Sequence, residues 1–175
     1  MGDDDPMIDL QSDQHFMSEA LRQAARARDA EEVPVGTVVV CQGRIIARAF
    51  NQVELLKDAT AHAEMLALTQ AEQALGGWRL TDCTLYVTKE PCPMCAGAMV
   101  LTRLARLVYG VADPKGGAAG GALNLLQFPS LNHRCLITGG VCEELCRSLL
   151  QEFFMRQRIK NKGVGERDRR KTNGI

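Results

Sequence analysis

The chain has 175 residues, with 21 lysines and arginines against 21 aspartates and glutamates. The overall charge is therefore balanced and gives no indication of nucleic-acid binding. The length suits a single domain that can bury a core without disulfides. Seven cysteines, an odd number, and an opening without a charged-then-apolar leader argue against secretion. No apolar run approaches the ~20 residues of a membrane span, so we expect a soluble, cytoplasmic protein.

The two ends of the chain differ in charge. Five aspartates lie within the first thirteen residues, whereas residues 156–175 carry eight lysines and arginines against two acidic residues. We therefore predict an acidic, disordered N-terminus over residues 1–12, one folded domain over 13–161 and a basic tail over 162–175.

Hydrophobic periodicity predicts alternating helices and strands between these ends. The predicted helices cover about 13–30, with Asp13 as its N-cap, 61–75, 93–103 and 141–161, and the predicted strands cover 35–41, 44–50, 83–88, 106–111 and 134–137. Residues 51–60 are expected to form an irregular loop, and the glycine-rich residues 113–121 another. The strand–helix alternation of the second half favours parallel neighbours with helices on both faces of a sheet, which is an α/β fold in three layers.

Two short motifs carry the residue types of a catalytic metal site. His62 lies in the sequence Ala-His-Ala-Glu, and 30 residues later Cys92 and Cys95 lie in Pro-Cys-Pro-Met-Cys. Two thiolate sulfurs and an imidazole nitrogen are ligands that zinc binds, and three protein ligands leave a fourth position open for a water whose pKa falls to about 7. Glu64 would carry the proton of that water. The pattern indicates a hydrolase.

Two other interpretations of the cysteine pair stay open. It could be a redox Cys-x-x-C pair, or half of a structural zinc site completed by Cys142 and Cys146 on the last helix. The start of a helix, which stabilises thiolates, and the compatible histidine upstream favour the catalytic zinc site. Like Cys142 and Cys146, the remaining cysteines have positions typical of small buried residues; they are Cys41, Cys83 and Cys135.

His-x-Glu and Pro-Cys-x-x-Cys, each opening a helix, form the signature of zinc nucleobase deaminases. Over roughly residues 16–158 the chain resembles the cytidine deaminase-like superfamily and, within it, the bacterial tRNA-specific adenosine deaminase family. Five further stretches carry the resemblance: Glu-Val-Pro-Val-Gly at 32–36, Asn51, Asp-Pro-Lys-Gly-Gly-Ala-Ala-Gly at 113–120, Asn-His-Arg at 132–134 and Phe-Phe at 153–154.

The resemblance implies a three-layer α/β/α fold on a five-stranded mixed sheet, with residues 13–161 as the deaminase domain. It implies hydrolytic deamination of adenosine to inosine at the wobble position of tRNA anticodons. One Zn²⁺ per subunit would be held by His62, Cys92 and Cys95, with Glu64 as both base and acid. The expected partners are the tRNA anticodon stem-loop and a second copy of the chain, with no organic cofactor and no membrane.

The same resemblance assigns contacts to the substrate. Asn51 would hydrogen-bond the base, Val35 would pack on the ring, and Ala63 would also contact the substrate. Asp113 would contact the ribose, whose 2′-hydroxyl distinguishes RNA from DNA.

Residues of the last helix are assigned to the RNA as well. Phe153, Arg156 and Arg158 are expected to contact tRNA, and of the pair Phe153 and Phe154 one is expected in the core and one nearer the RNA. The chain departs from the family pattern at Ala59, where a proline is common, and over residues 52–58.

Two alternative functions remain: a deaminase of a free base or nucleotide, such as guanine or cytosine, and a non-catalytic zinc-containing RNA-binding subunit. The basic last helix argues against the first, because a free base needs no phosphate-binding surface. Glu64 argues against the second, because a subunit that only binds has no use for a proton carrier.

Overall fold

The protein is described here by a computed structural model that covers residues 11–172, with side chains to residue 162. Most of the predicted acidic N-terminus, and the side chains of the basic tail beyond residue 162, lie outside the described residues. In chain order the elements are α1 (Asp13–Asp29), β1 (Gly36–Cys41), β2 (Arg44–Phe50), α2 (Val53–Leu56), α3 (Ala63–Leu75), β3 (Cys83–Lys89), α4 (Pro93–Leu101), β4 (Arg106–Val111), β5 (Leu136–Thr138) and α5 (Glu143–Thr172).

The strands form one mixed sheet in the order β2-β1-β3-β4-β5. β1 is antiparallel to both β2 and β3, whereas β3, β4 and β5 run parallel. Each parallel connection needs a crossover, which α4 provides between β3 and β4. The carboxyl ends of the parallel strands therefore lie at one edge, the place where ligands bind in sheets of this kind.

The core is divided by the sheet into two layers. Successive strand residues point to opposite faces, so Val39 and Leu85 belong to one buried cluster, with Met99 of α4, while Val38 belongs to the other, with Phe16 of α1. Complete burial of such side chains contributes about 1.5–3 kcal/mol each. The predicted α/β fold, a five-stranded mixed sheet with helices on both faces, is confirmed.

Some local predictions were wrong. The N-cap of α1 is Ser12, whose Oγ accepts a hydrogen bond from the backbone N–H of His15 at 3.1 Å, because the Asp13 carboxylate is occupied by Arg106 and Tyr86. The predicted loop 51–60 contains the short helix α2.

Two boundaries near the C-terminus also differ. β5 begins at Leu136 and not at residue 134, because the backbone N–H of Cys135 bonds to the carbonyl of Leu126 in the preceding loop. The last helix, predicted to end near residue 161, continues to Thr172. None of the helices in the described part of the chain is both long and apolar enough to cross a membrane.

Candidate active site

The two sequence motifs meet because each places a residue at the start of a helix. His62 has extended backbone angles and immediately precedes α3, and Cys92 does the same for α4, where Pro93 occupies the first helical position. Cys95 follows one turn into α4. These two helix starts lie side by side at the carboxyl end of β3.

His62, Cys92 and Cys95 form a group that can hold a metal ion. Nδ1 of His62 lies 3.6 Å from Sγ of Cys92 and 3.6 Å from Sγ of Cys95, and the three ligand atoms lie within 4.8 Å of one another. In a tetrahedral site with Zn–S about 2.3 Å and Zn–N about 2.0–2.1 Å, sulfur and nitrogen ligands are about 3.5–3.6 Å apart. The residues present fit a zinc ion.

The electrostatics of the cysteine pair suit a metal ligand. Hydrogen bonds from Cys95 and from His62 hold the pKa of the Cys92 thiol well below its usual value, although burial opposes this. The pKa of Cys95 is raised, because it hydrogen-bonds Cys92 and is buried. A cation in the site would favour the charged, thiolate form of both sulfurs.

The four-cysteine alternative is not supported by the fold. Cys95 packs in the cluster on the α3–α4 face of the sheet, whereas Cys146, with Cys142 beside it, packs in the cluster on the α1–α5 face. The sheet separates the two pairs. Cys142 and Cys146 are structural residues of the second layer.

Glu64 lies beside the metal group, in the lining of an adjacent cavity, without belonging to that group. It lies in the first turn of α3, it is 4% exposed, and burial raises the pKa of its carboxyl above the ordinary value. Because its oxygens are not among the clustered ligand atoms, the carboxylate is available to carry protons.

A cavity of about 370 Å³ opens over this group, within the range of small-molecule sites. Its described lining combines apolar side chains with carboxylates and a single lysine. The lining residues are Glu32, Val33, Val35, Asn51, Val53, Glu54, His62, Glu64, Lys89, Glu90, Cys92 and Phe154. The apolar walls suit a planar ring, and the polar groups can orient it.

Asn51 and Val35 line the cavity, whereas Ala63 is fully buried at the start of α3 and is not among the lining residues. The predicted substrate contacts of these three residues stay predictions. The side-chain amide of Asn51 donates to Oε2 of Glu32 at 3.2 Å. Glu32 was missed by the sequence analysis as a functional residue, although it belongs to the Glu-Val-Pro-Val-Gly stretch that carries the resemblance.

Asp113 is not among the lining residues, but its partner is. The Asp113 carboxylate pairs with Nζ of Lys89, which lines the cavity, and Oδ1 accepts backbone N–H bonds from Lys115 and Gly116 at 3.0 Å each. The bond to Lys89 is the main reason that the pKa of Asp113 lies below its usual value. The predicted ribose contact stays a prediction.

Glu90, also missed, anchors the glycine-rich loop beside the metal group. Its buried carboxylate accepts backbone N–H bonds from Asp113 at 2.7 Å, Ala119 at 2.9 Å and Gly121 at 2.8 Å. A Cβ on Gly117 would lie 2.2 Å from the carboxyl carbon. Its place between a strand and the Pro-Cys motif was a signal that could have found it.

The two phenylalanines of α5 divide as predicted, one buried and one exposed. Phe153 is 8% exposed and packs inward, whereas Phe154 is 47% exposed and lines the catalytic cavity. Phe154 is thus the residue of the pair that lines this cavity, and the predicted RNA contact of Phe153 stays a prediction. Arg156 and Arg158 are exposed and do not line the cavity, so their RNA contacts stay predictions.

Comparison with known proteins agrees with this geometry. A family model for MafB19-like deaminases matches residues 11–158. The chain is 49% identical over 155 residues to a tRNA-specific adenosine deaminase of Bacillus subtilis (strain 168), covering 89% of this chain and 96% of that protein. It is 43% identical over 145 residues to one of Agrobacterium fabrum, covering 83% and 95%.

Solved structures are similar as well. A structure from a study of A-to-I editing by tRNA:A34 deaminases superposes with a TM-score of 0.75 at 43% identity, covering 78% of this chain and 99% of that one. A guanine deaminase of Bacillus subtilis matches at a TM-score of 0.55 and 38% identity, covering 58% and 65%. Both the sequence relatives and the better-covered structure agree with the site, and the chain belongs to the family of tRNA-specific adenosine deaminases.

Proposed function

We propose that this protein hydrolyses adenosine to inosine at the wobble position of tRNA anticodons, using one zinc ion per subunit. The observation that carries the proposal is the placement of Glu64 in the lining of a cavity of about 370 Å³ beside the His62, Cys92 and Cys95 ligand group. The named relatives and the structural match to tRNA:A34 deaminases support the choice of substrate.

The protein's own residues would divide the chemistry. His62, Cys92 and Cys95 would hold the zinc ion, which when bound supplies a nucleophile at neutral pH by acidifying water. Glu64 would take the proton of the water that attacks C6 of adenine and deliver protons to the ring nitrogen and to the departing amine. A carboxylate that does both must be free of the metal, and Glu64 lies outside the ligand group.

Other side chains would hold the base in place. Val35 and Phe154 give the cavity apolar walls on which a base can pack, and Asn51 gives a side-chain amide. Asp113, beyond the lining Lys89, would contact the ribose. The anticodon nucleotide must leave its stack to enter the cavity, and single-stranded loop bases do so at the lowest cost.

We also propose that the chain acts as a homodimer in the cytoplasm. Exposed apolar side chains that a partner could cover occur at the end of α4 and in β5 and α5, where Leu101 is 73%, Leu136 68% and Leu145 62% exposed. The free cysteines of the described chain agree with a reducing compartment.

The test is incubation of the zinc-loaded protein with unmodified tRNA transcripts, followed by nucleoside analysis. Inosine should replace adenosine at the wobble position, and a Glu64→Ala protein should leave the RNA unchanged. Deamination of free guanine or cytosine with tRNA untouched would establish the free-base alternative. Stable RNA binding without turnover by the unaltered protein would establish the non-catalytic one.

A further inference from the structure

Lys89 is the only lysine or arginine that lines the catalytic cavity within the described part of the chain. The lining also contains four acidic side chains, which are Glu32, Glu54, Glu64 and Glu90. A polynucleotide carries one negative charge per phosphate, so these glutamates would repel the substrate's backbone if the lining held no cationic side chain. Lys89 is the residue placed to reverse that repulsion locally.

Lys89 lies at the carboxyl end of β3, and its charged side chain lines the cavity. It is the last residue of β3, three residues before Cys92, and its side chain is 33% exposed. Rigid elements on both sides, β3 and α4, fix its Cα. A lysine held in this way gives a defined cation next to the reacting centre, unlike the exposed arginines of α5.

The ion pair with Asp113 leaves Lys89 with unused donors. An ammonium group has three N–H bonds, and Asp113 is the acceptor that the structure gives to one of them. Asp113 is itself supported by the N–H groups of Lys115 and Gly116, so it does not depend on Lys89 alone. Two donors of Lys89 can therefore bind a further anion while the pair is kept.

We propose that Lys89 is a substrate-binding residue that contacts the RNA phosphate backbone next to the nucleotide in the cavity. This inference rests on the proposed function, because only a polynucleotide brings a backbone phosphate to this position. Lys89 and Asp113 then form one unit, in which the lysine binds phosphate and the carboxylate remains beside the ribose. The pair gives the site a preference for nucleotides within RNA over free bases.

The experiment measures how salt affects RNA binding. Zinc-loaded Glu64→Ala protein, which cannot turn over, is titrated with a labelled anticodon stem-loop RNA between about 50 and 200 mM KCl. The variant Lys89→Met, made in that background, removes the charge and keeps the length of the side chain. We expect the slope of log affinity against log salt to become shallower by about 0.7–1, and affinity at low salt to fall roughly tenfold.

Two matched variants control for charge and position. Lys89→Arg should keep the slope, because a guanidinium also binds phosphate. Arg44→Gln should keep it too: Arg44 is exposed and starts β2 at the opposite end of the sheet, where it pairs with Cys41. In the otherwise unaltered enzyme, Lys89→Met should raise KM for tRNA and change kcat little.

The same substitution in an Asp113→Asn background separates phosphate binding from a purely structural role. If Lys89 acts only by holding Asp113, Lys89→Met should not change the salt slope in this background. If the lysine binds phosphate, the slope should still become shallower. An unchanged slope in either background overturns the inference, even if tRNA is deaminated. Failure of the unaltered protein to bind or deaminate tRNA would instead overturn the proposed function, so the two failures are distinct.

Discussion

The side-chain amide of Asn51 donates to the carboxylate of Glu32 at 3.2 Å, and both side chains are buried. The same carboxylate accepts the backbone N–H groups of Glu54 at 3.2 Å and Leu55 at 2.7 Å, at the start of α2. A carboxylate can only accept hydrogen bonds, so the NH₂ group of Asn51 must face it and the amide oxygen is left for the substrate.

Replacing Glu32 by glutamine should therefore affect both stability and catalysis. Glutamine has the same shape but offers an NH₂ group to a site that contains three donors, so buried donors lose their acceptor. We expect the free energy of unfolding to fall by about 1–3 kcal/mol, measured in denaturant. We also expect kcat/KM to fall roughly 10-fold or more, because the carboxylate no longer holds the side-chain amide of Asn51 in its orientation.

Glu144→Gln is the matched control. Its side chain is 86% exposed, and the substitution should change the free energy of unfolding by less than about 0.5 kcal/mol. Wild-type stability and kinetics in Glu32→Gln would show that the carboxylate does not position Asn51.

Removal of the two thiolates should remove the metal. The unaltered protein should contain about one zinc per chain, and Cys92→Ala combined with Cys95→Ala should contain little, because one imidazole cannot hold the ion. Thermal unfolding should occur at a lower temperature, since the binding energy of the ion is lost. Elemental analysis after gel filtration gives the stoichiometry. Cys142→Ala should retain the metal, since Cys142 packs on the opposite face of the sheet; full metal content in the double variant would refute the ligand assignment.

Glu64→Gln should separate metal binding from catalysis. The amide keeps the shape of the side chain but cannot accept and return a proton, so the deamination rate should fall about 10²–10⁴-fold. Zinc content and RNA affinity should stay close to those of the unaltered protein, because Glu64 is not in the ligand group. Single-turnover inosine formation measures the effect, and turnover within a few-fold of the unaltered enzyme would place the proton carrier elsewhere.

The sequence could predict the parts of the site that depend on local pattern. His62 and Cys92 lie at helix starts whose signals, a polar loop and Pro93, are visible in a few neighbouring residues. The hairpin of β1 and β2 follows from its β-branched run in the same way.

Other parts depend on contacts between distant residues. The four residues of α2 have no strong helical signal, and the carboxylate of Glu32, more than twenty positions away, supports their first N–H groups. Lys89 is an ordinary charge at the end of a strand until β3 places it beside the cavity. Packing of α5 against the sheet sets the rotation of this helix about its axis, and that rotation places Phe154 rather than Phe153 in the lining of the cavity.

Substitutions of two glycines should show how closely the glycine-rich loop is packed on Glu90. In Gly117→Ala the new Cβ would lie 2.2 Å from the carboxyl carbon of Glu90, so the carboxylate must move and release backbone N–H groups of the loop. We expect the free energy of unfolding to fall by about 1–3 kcal/mol and kcat/KM to fall with it. In Gly77→Ala nothing lies within 4 Å of the new atom, and stability should be unchanged or raised by up to about 1 kcal/mol. Equal effects of the two substitutions would contradict the close packing.

The ion pair between Asp13 and Arg106 joins the start of α1 to β4. The two nitrogens of Arg106 donate to the two carboxylate oxygens of Asp13 at 2.9 and 2.7 Å, and the hydroxyl of Tyr86 donates to the same group at 2.8 Å. The hydrogen bond from Arg106 is the largest cause of a pKa of Asp13 below the ordinary value of 3.8. Because the folded state has the lower pKa, the pair's contribution is complete above the unfolded pKa and is lost as pH falls through the folded one.

Asp13→Asn should therefore destabilise the protein in a pH-dependent way. The pair is about 30% exposed and solvent screens it, so we expect a loss of about 1 kcal/mol in the free energy of unfolding near neutral pH. The difference from the unaltered protein should begin to shrink as pH falls below the ordinary value of 3.8, and it should approach zero only below the lower pKa of the folded state, where the wild-type carboxyl is protonated. Urea unfolding of both proteins across this range gives the difference directly, and any loss of metal at low pH affects both alike, because Asp13 does not touch the site.

Asp29→Asn, at an exposed position, should give a difference within about 0.5 kcal/mol at every pH. A constant difference for Asp13→Asn from neutral to acid pH would mean that the charge of Asp13 is not what stabilises the contact between α1 and β4.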